Sequence, residues 1–423
     1  MTTLFRHAEI LAIGTELLTP FRADTNSLYL TARLNELGLD VIGKSVVPDD
    51  ASALEFALRT ALQRASVVVT TGGLGPTDDD LTRDALAAVA GAAFEEDAAV
   101  LAAIEERFSR RGLRMPAINR RQAQVPRGAV VLSNPNGTAP GLWLEIGSSV
   151  VITLPGPPRE LRPMFEHEVL PRLTERTGGI LLRRRTIKIA GRGESHVEEL
   201  AQPVYGPWRD ANPAIVTTIL AAPGQVELHL CAQGQNEAVL DHALDEAVSA
   251  LQSALGPVVF SIDGRDLEEV VGALLLDRGL KLAAAESCTG GMLLGTLTRV
   301  SGSSAWVAGG VVAYANDVKV HSLDVPAELI AVHGAVSEPV AEAMAQGARR
   351  VMKAGIGVGI TGIAGPTGGT EAKPVGTVCL AVAGPGERCA VRTVRFPGDR
   401  AMVRQMAVQT AMDMLRRVLT GAA

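Results

Sequence analysis

The sequence is poor in aromatic side chains, which make up 3% of its 423 residues. That argues against a protein that stacks single-stranded bases on a row of rings. There is no basic excess either. The formal net charge is −6, where a dedicated nucleic-acid binder would carry a positive stripe, so no direct nucleic-acid partner is expected. No uncharged apolar run is long enough to cross a bilayer, so no membrane partner is expected. The opening stretch MTTLFRHAEILAIGTELL is broken by Arg6, His7, Glu9 and Glu16 and does not read as a secretory leader. The four cysteines (Cys231, Cys288, Cys379, Cys389) form no Cys-x-x-Cys pair and no Cys/His zinc spacing. The expectation is a reduced, cytoplasmic protein with small buried thiols.

What is present bounds the fold. Hydrophobic residues make up 47% and charged residues 20%, which excludes a disordered chain. At roughly 150 residues per domain the length predicts two to three domains. The first segment alternates strand and helix: AEILAIG, a helix around 25–37, a strand at 40–47, a helix at 52–63, the β-branched strand 66–71, a long helical stretch at 81–112, and SVVITLPG. The middle shows a β-α-β-β-α pattern. The third segment alternates again through KLAAAES, AWVAGGVVAYA, IGVGITG, GTVCLAVAG and RTVRFPG to a helix from about Asp399. The expected fold class is α/β: two three-layer α/β/α domains, at 1–172 and 259–423, joined by a small α+β module at 173–258.

Two regions carry chemistry. Strand 67–71 runs into TTGGLGPTDDD. Glycines Gly72, Gly73 and Gly75 just after a buried strand let backbone N–H groups approach a phosphate or pterin. Asp78, Asp79 and Asp80 are hard oxygen ligands suited to a divalent ion, with Glu16 in support; an alternative is an acidic helix cap. Thr77, Asn136 and Gly137 stand in loops expected to wall the same cleft, beside Gly14-Thr15-Glu16 and LPGPPRE.

In the third segment, KLAAAES leads into Ser287-Cys288-Thr289-Gly290-Gly291. Small residues at a strand–helix junction expose a nucleophile and aim free N–H groups at it, with Thr289 to Gly291 a candidate oxyanion hole. Ser287 and Cys288 are both able to attack. His321 and His333 lack a recognisable triad context. Lys319, in Tyr314-Ala-Asn-Asp-Val-Lys319, is the better base, because a desolvated lysine has a lowered pKa. The segment 359–369, with five glycines, reads as a loop around a phosphate or ribose, through Thr361, Gly362 and Gly365, with Arg400 and Lys373 as cation contacts.

AEILAIGTELL, TGGLGPTDDD, NPNGTAPG and LPGPPRE resemble the N-terminal half of the CinA family, itself similar to molybdopterin-binding proteins of the MoaB/MogA type. AESCTGG, GGVVAYANDVK, HGAVSE, TGIAGPTGGT, KPVGTV and FPGDR resemble the CinA C-terminal domain. Pro20-Phe21 departs from the glycine found near there in the family, which predicts a differently shaped loop at 19–24. The resemblance implies hydrolysis of ADP-ribose to AMP and ribose 5-phosphate with a divalent metal (Mg, Mn or Co) in the first domain. For the third it implies deamidation of nicotinamide mononucleotide without a cofactor, with Ser287 as nucleophile and Tyr314 and Lys319 assisting. It also implies a homodimer. Two other functions stay open: a first domain that binds a nucleotide or pterin without turnover, and an accessory role in competence or recombination, which the family's name suggests.

Overall fold

The computed structural model describes residues 4–385 and 389–422. The chain divides into two compact units, Met1–Arg183 with Gln233–Ala238, and Arg184–Ala232 with Val239–Ala423.

The first unit contains β1 (His7–Ile13), β2 (Asp40–Val47), β3 (Val67–Thr71), β4 (Phe94–Glu96), β5 (Gln124–Pro126), β6 (Val130–Leu132), β7 (Gly141–Ile146) and β8 (Ser149–Leu154). Six form one sheet in the order β2-β1-β3-β8-β7-β6, with β2, β1, β3 and β8 parallel and the last two antiparallel. Successive side chains of a strand face opposite sides, and two cores result. Ile10, Val67 and Val69 pack with Leu30, Leu34 and Phe165; Leu11, Val68 and Val151 pack with Leu54, Leu58 and Leu86 on the other face. Every residue of β3 is buried, as a strand covered on both faces requires.

The stretch 81–112 is not one helix. Helix Thr82–Ala90 ends at Gly91, which takes a left-handed conformation. Phe94–Glu96 then pairs antiparallel with β5. A new helix, Ala98–Ser109, starts where Asp97 accepts from the N–H groups of Ala99 and Val100. The alanine-rich periodicity spans both helices and hides the break.

The second unit contains β9 (Leu181–Ala190), β10 (Ile215–Ala222), β11 (Gln225–Gly234) and β12 (Val259–Ser261), in one sheet ordered β10-β11-β9-β12. A second sheet holds β13 (Leu282–Glu286), β14 (Val307–Val312), β15 (Ile356–Gly362), β16 (Thr377–Ala383) and β17 (Cys389–Arg395), ordered β14-β13-β15-β16-β17. The first three of that order are parallel. One face packs against helices Leu267–Asp277 and Arg400–Thr420 through Leu282, Val358, Leu275 and Met412. The other packs on helix Glu338–Val351. Both units are therefore α/β.

The glycine run expected as a loop from 359 begins inside β15. A Cβ on Gly359 would lie 2.2 Å from the Ala341 carbonyl oxygen, and one on Gly357 would lie 2.0 Å from that of Ala345. These glycines let the Glu338–Val351 helix press onto the sheet. Gly359→Ala is expected to lower unfolding stability by about 1–3 kcal/mol in urea titration. Gly295→Ala, with open space around its helical position, should leave the midpoint unchanged or raise it.

Candidate functional site

Parallel pairing in the first unit brings the ends of β1, β3 and β8 to one edge of the sheet. A cavity of about 710 Å³ opens there, lined by Gly14, Glu16, Gly72, Gly73, Gly75 and Gly156. The approach is close: a Cβ on Gly72, at φ +108°, would sit 2.2 Å from the Ile13 carbonyl oxygen. Six carboxylates line the cavity, those of Glu16, Asp24, Asp49, Asp79, Asp80 and Glu160, against the single cation Arg22. Asn26 lies beside them. It is buried, its amide donates to Thr71 and to the Gly156 carbonyl, and its Oδ1 accepts nothing.

The expected phosphate cradle is largely closed on itself. Gly75 N–H donates to Asp80 Oδ1 at 2.7 Å, and Thr77 N–H to Asp80 Oδ2 at 2.9 Å. The Thr77 hydroxyl also donates to Asp80, and Thr77 does not line the cavity. Gly72 N–H donates to the Leu154 carbonyl. Below the loop, the buried Arg83 guanidinium donates to the carbonyls of Leu74 and Gly75. Burial pulls its pKa below the ordinary arginine value. Asp80 is thus a loop brace. Asp78 is fully exposed, 3.7 Å from Arg121, and outside the cavity. Asp79 faces the cavity and is otherwise exposed. Among the described residues, no three His, Cys, Asp or Glu side chains gather as a metal-holding group. The expected quartet of Glu16, Asp78, Asp79 and Asp80 does not converge, because spacing along a tight loop sends neighbouring side chains in different directions.

Asn136 and Gly137 are also displaced from the expected cleft. The Asn136 amide donates to the Arg159 carbonyl, and Gly137 borders a separate cavity with Ile104 and Arg107. Thr138 lines both cavities. Pro20-Phe21 lies on the surface, with Phe21 89% exposed.

In the second unit, β13, β14 and β15 end level. Ser287 N–H donates to the Ile360 carbonyl, and Ala313 N–H to that of Glu286. This register brings Ser287, Tyr314 and the 361–365 segment to one edge. Glu286 is fully buried, and its carboxylate accepts from the N–H groups of Gly291, Leu293 and Leu294 at 2.9–3.0 Å. It occupies the helix start that the oxyanion-hole expectation assigned to a ligand. Gly290 N–H is also taken, by the Ser287 carbonyl. Of the three N–H groups expected to form an oxyanion hole, those of Gly290 and Gly291 are therefore taken, and that of Thr289 bonds no other residue among those described.

The two candidate nucleophiles separate. Ser287 is 8% exposed, and its hydroxyl has no partner among the described residues. Cys288 packs into the apolar core, and burial pushes its thiol up to about 12. All four cysteines are free. Lys319 is 1% exposed and donates to the Tyr314 carbonyl at 3.2 Å, with no carboxylate partner among the described residues. Burial lowers its pKa below the ordinary 10.5, opposed by the nearby Cys288 thiol. Arg400 donates to the Tyr314 hydroxyl at 3.0 Å and to the Gly365 carbonyl at 2.9 Å. Arg404, not singled out in the sequence, donates to the Thr289 carbonyl at 2.7 Å.

Three expectations here are corrected. The Thr361 hydroxyl turns inward to the Ala335 carbonyl, at 2.8 Å. Gly362 is the last residue of β15, where a Cβ would lie 2.7 Å from Val378. Lys373 is spent on the carbonyls of His333 and Val336, both at 2.7 Å.

With this geometry in view, the matches to known families are specific. Residues 9–175 match the family model of a probable molybdopterin binding domain, and residues 264–419 that of the CinA C-terminal domain. The class is therefore an α/β chain that joins a molybdopterin-binding-type unit to a CinA-type unit. The chain is 45% identical over 416 residues to a CinA-like protein of Koribacter versatilis, covering 97% of this chain and 99% of that one. It is 45% identical over 425 residues to a putative competence-damage inducible protein of Symbiobacterium thermophilum, covering 98% and 99%. A solved competence/damage inducible protein from Agrobacterium tumefaciens is 40% identical, covering 38% of this chain and 99% of that one, with a TM-score of 0.35. The chain belongs to the CinA family. No helix among the described residues is long and apolar enough to cross a membrane.

Asp80→Ala removes the loop brace and is expected to cost about 1–3 kcal/mol. Asp78→Ala should leave thermal unfolding unchanged. Equal shifts in the two variants would refute the brace.

Proposed function

We propose that the second unit hydrolyses the carboxamide of nicotinamide mononucleotide, and that the first hydrolyses ADP-ribose to AMP and ribose 5-phosphate with a divalent cation. The observation that carries the first half is the pairing of an unpartnered Ser287 hydroxyl with a buried, carboxylate-free Lys319 at one sheet edge. A buried lysine without a counter-charge favours its neutral amine, which is the form a base requires.

The reaction balances without a cofactor. The Lys319 amine takes the Ser287 proton as Oγ bonds to the amide carbon. The Thr289 N–H faces the oxyanion. The C–N bond breaks, and Lys319 returns the proton to the leaving nitrogen, which departs as ammonia. Water then attacks the ester, and one of its protons passes through Lys319 to Ser287. Nicotinate mononucleotide leaves as a carboxylate, its second water-derived proton going to solvent, where the released ammonia takes it up. Arg400, tied to Tyr314 and Gly365, stands where a substrate phosphate would find a guanidinium.

In the first unit the donor set fits a cation that arrives with its substrate. A diphosphate entering a cleft of six carboxylates and one arginine needs added positive charge. Magnesium-type ions are commonly held by one or two carboxylates plus substrate phosphates, which suits Glu16 and Asp79 and needs no closed protein cage. Such an ion, when bound, neutralises phosphate charge and lowers the pKa of water. The closed glycine loop favours a second reading, a unit that binds a nucleotide without turnover.

Ammonia release from nicotinamide mononucleotide should fall more than about 1,000-fold in Ser287→Ala and persist in Cys288→Ala. Loss in Cys288→Ala alone would overturn the assignment. The rate should rise with pH as Lys319 loses its proton and level off below 10.5, because burial lowers that pKa; Lys319→Met should flatten the profile. AMP formation from ADP-ribose should require added magnesium and stop with chelator. Saturable ADP-ribose binding without product would establish the second reading.

A further inference from the structure

Away from the serine site, the second unit carries a groove whose charge runs against that of the chain. A cavity of about 600 Å³ is walled by the β10–β11 turn at Pro223-Gly224, the end of β17 and the start of the C-terminal helix. A smaller cavity of about 410 Å³ shares Arg192 and Arg392 with it. Arg192 and Arg392 line both cavities, and among the described residues neither side chain has an ion pair or hydrogen bond. Along β17, Arg392 shares a face with Val394 and Phe396, toward the C-terminal helix, whereas Arg395 alternates to the face of Thr393, which bonds Glu338. Two carboxylates oppose them. That of Asp413 is neutralised, Oδ1 by Arg416 and Oδ2 by Arg417. Glu194 is the other. Two unpaired guanidiniums against one free carboxylate make a site for an anion. The walls are braced, since Gln225 donates to Gln409 at 2.5 Å and a Cβ on Gly224 would lie 2.9 Å from Gln409 Cβ.

Beside the polar Gln225, Gln409 and Thr410, the lining is apolar. Val226, Phe396, Met402 and Met406 offer a face for a flat, weakly polar body. The volume falls in the range of small-molecule sites, roughly 300–1,000 Å³. Phosphate-directed arginines beside such a face match a nucleoside monophosphate.

The groove also reaches the serine site through one helix. Met402 and Met406 face the cavity, while Arg400 and Arg404 hold Tyr314, Gly365 and Thr289. Two residues along a helix are about 200° apart, so these pairs lie on nearly opposite faces of the same two turns. A ligand in the groove bears on the turns that position the nucleophile loop.

We propose that this groove is a second nucleotide site, taking a nucleoside monophosphate that is not the amide substrate and that adjusts the amidohydrolase. Binding stands on the groove alone; the effect on rate rests on the serine-site reading above. The probe is AMP, the nucleoside monophosphate that the first unit would release.

AMP is titrated calorimetrically into the full chain carrying Ser287→Ala, with and without Arg192→Ala/Arg392→Ala. One class of site should weaken more than tenfold in the arginine variant, stay in Glu16→Gln, and keep part of its affinity in Arg192→Lys/Arg392→Lys. Adenosine should bind that class more than tenfold more weakly than AMP. Identical isotherms with and without the arginines would overturn the site, as would equal binding of adenosine. A single-stranded oligonucleotide that binds more tightly than AMP, and loses binding in the same arginine variant, would replace the proposal with a nucleic-acid surface. With wild-type serine, AMP should change the rate of ammonia release, and Arg192→Ala/Arg392→Ala should abolish that response. AMP binding without any change in rate would overturn the regulatory half while leaving the site.

Discussion

A carboxylate of the chain itself, taking the backbone N–H groups of a turn, is the constraint on which both sites depend. In the second unit Glu286 accepts three such bonds at the start of the helix behind Ser287. Unpaired N–H groups at a helix start are costly to bury, and an ionised carboxylate satisfies several at once. With that turn held, the backbone N–H groups of Cys288 and Thr289 are the ones beside Ser287 that bond no other residue among those described. The first unit repeats the device with Asp80, which closes the glycine loop from within.

This constraint changes what the loops can do. A glycine-rich turn with free N–H groups invites an anion, but here acidic side chains of the chain itself have filled much of that role. In the first unit the consequence is an acidic cleft with little intrinsic attraction for a diphosphate, so any such substrate must bring positive charge with it. In the second unit the consequence is a pre-set nucleophile turn. The C-terminal helix ties its surroundings, through Arg404 on the Thr289 carbonyl and Arg400 on the Tyr314 hydroxyl and the Gly365 carbonyl. One helix therefore supports the whole serine site from behind.

The α/β layers were legible in the sequence because buried parallel strands write continuous β-branched and apolar runs. The run VVVTT is an example, and the structure buries all of it. The break within 81–112 was not legible. Gly91 and Asp97 are ordinary stop and start signals, but the alanine pattern on both sides continues in phase. Ser287 and Lys319 could be singled out, since residue type and position at strand ends carry their chemistry. Lys373 and Thr361 were misread for one reason: a side chain of the right type was assumed free, whereas backbone carbonyls brought near by the fold had claimed it.

The sequence by itself determined which residues stand at the carboxyl ends of the parallel strands, because strand alternation and glycine punctuation are local properties. Only the tertiary structure decided which of those residues are available. Asp78, Asp79 and Asp80 are adjacent in sequence, yet one is exposed, one faces the cleft and one braces the loop. Cys288 and Ser287 are neighbours, yet one is in the core with its thiol pushed up to about 12 and the other has a hydroxyl without a partner. The physical reason is that hydrogen-bond competition and desolvation act through space, on groups brought together from distant parts of the chain.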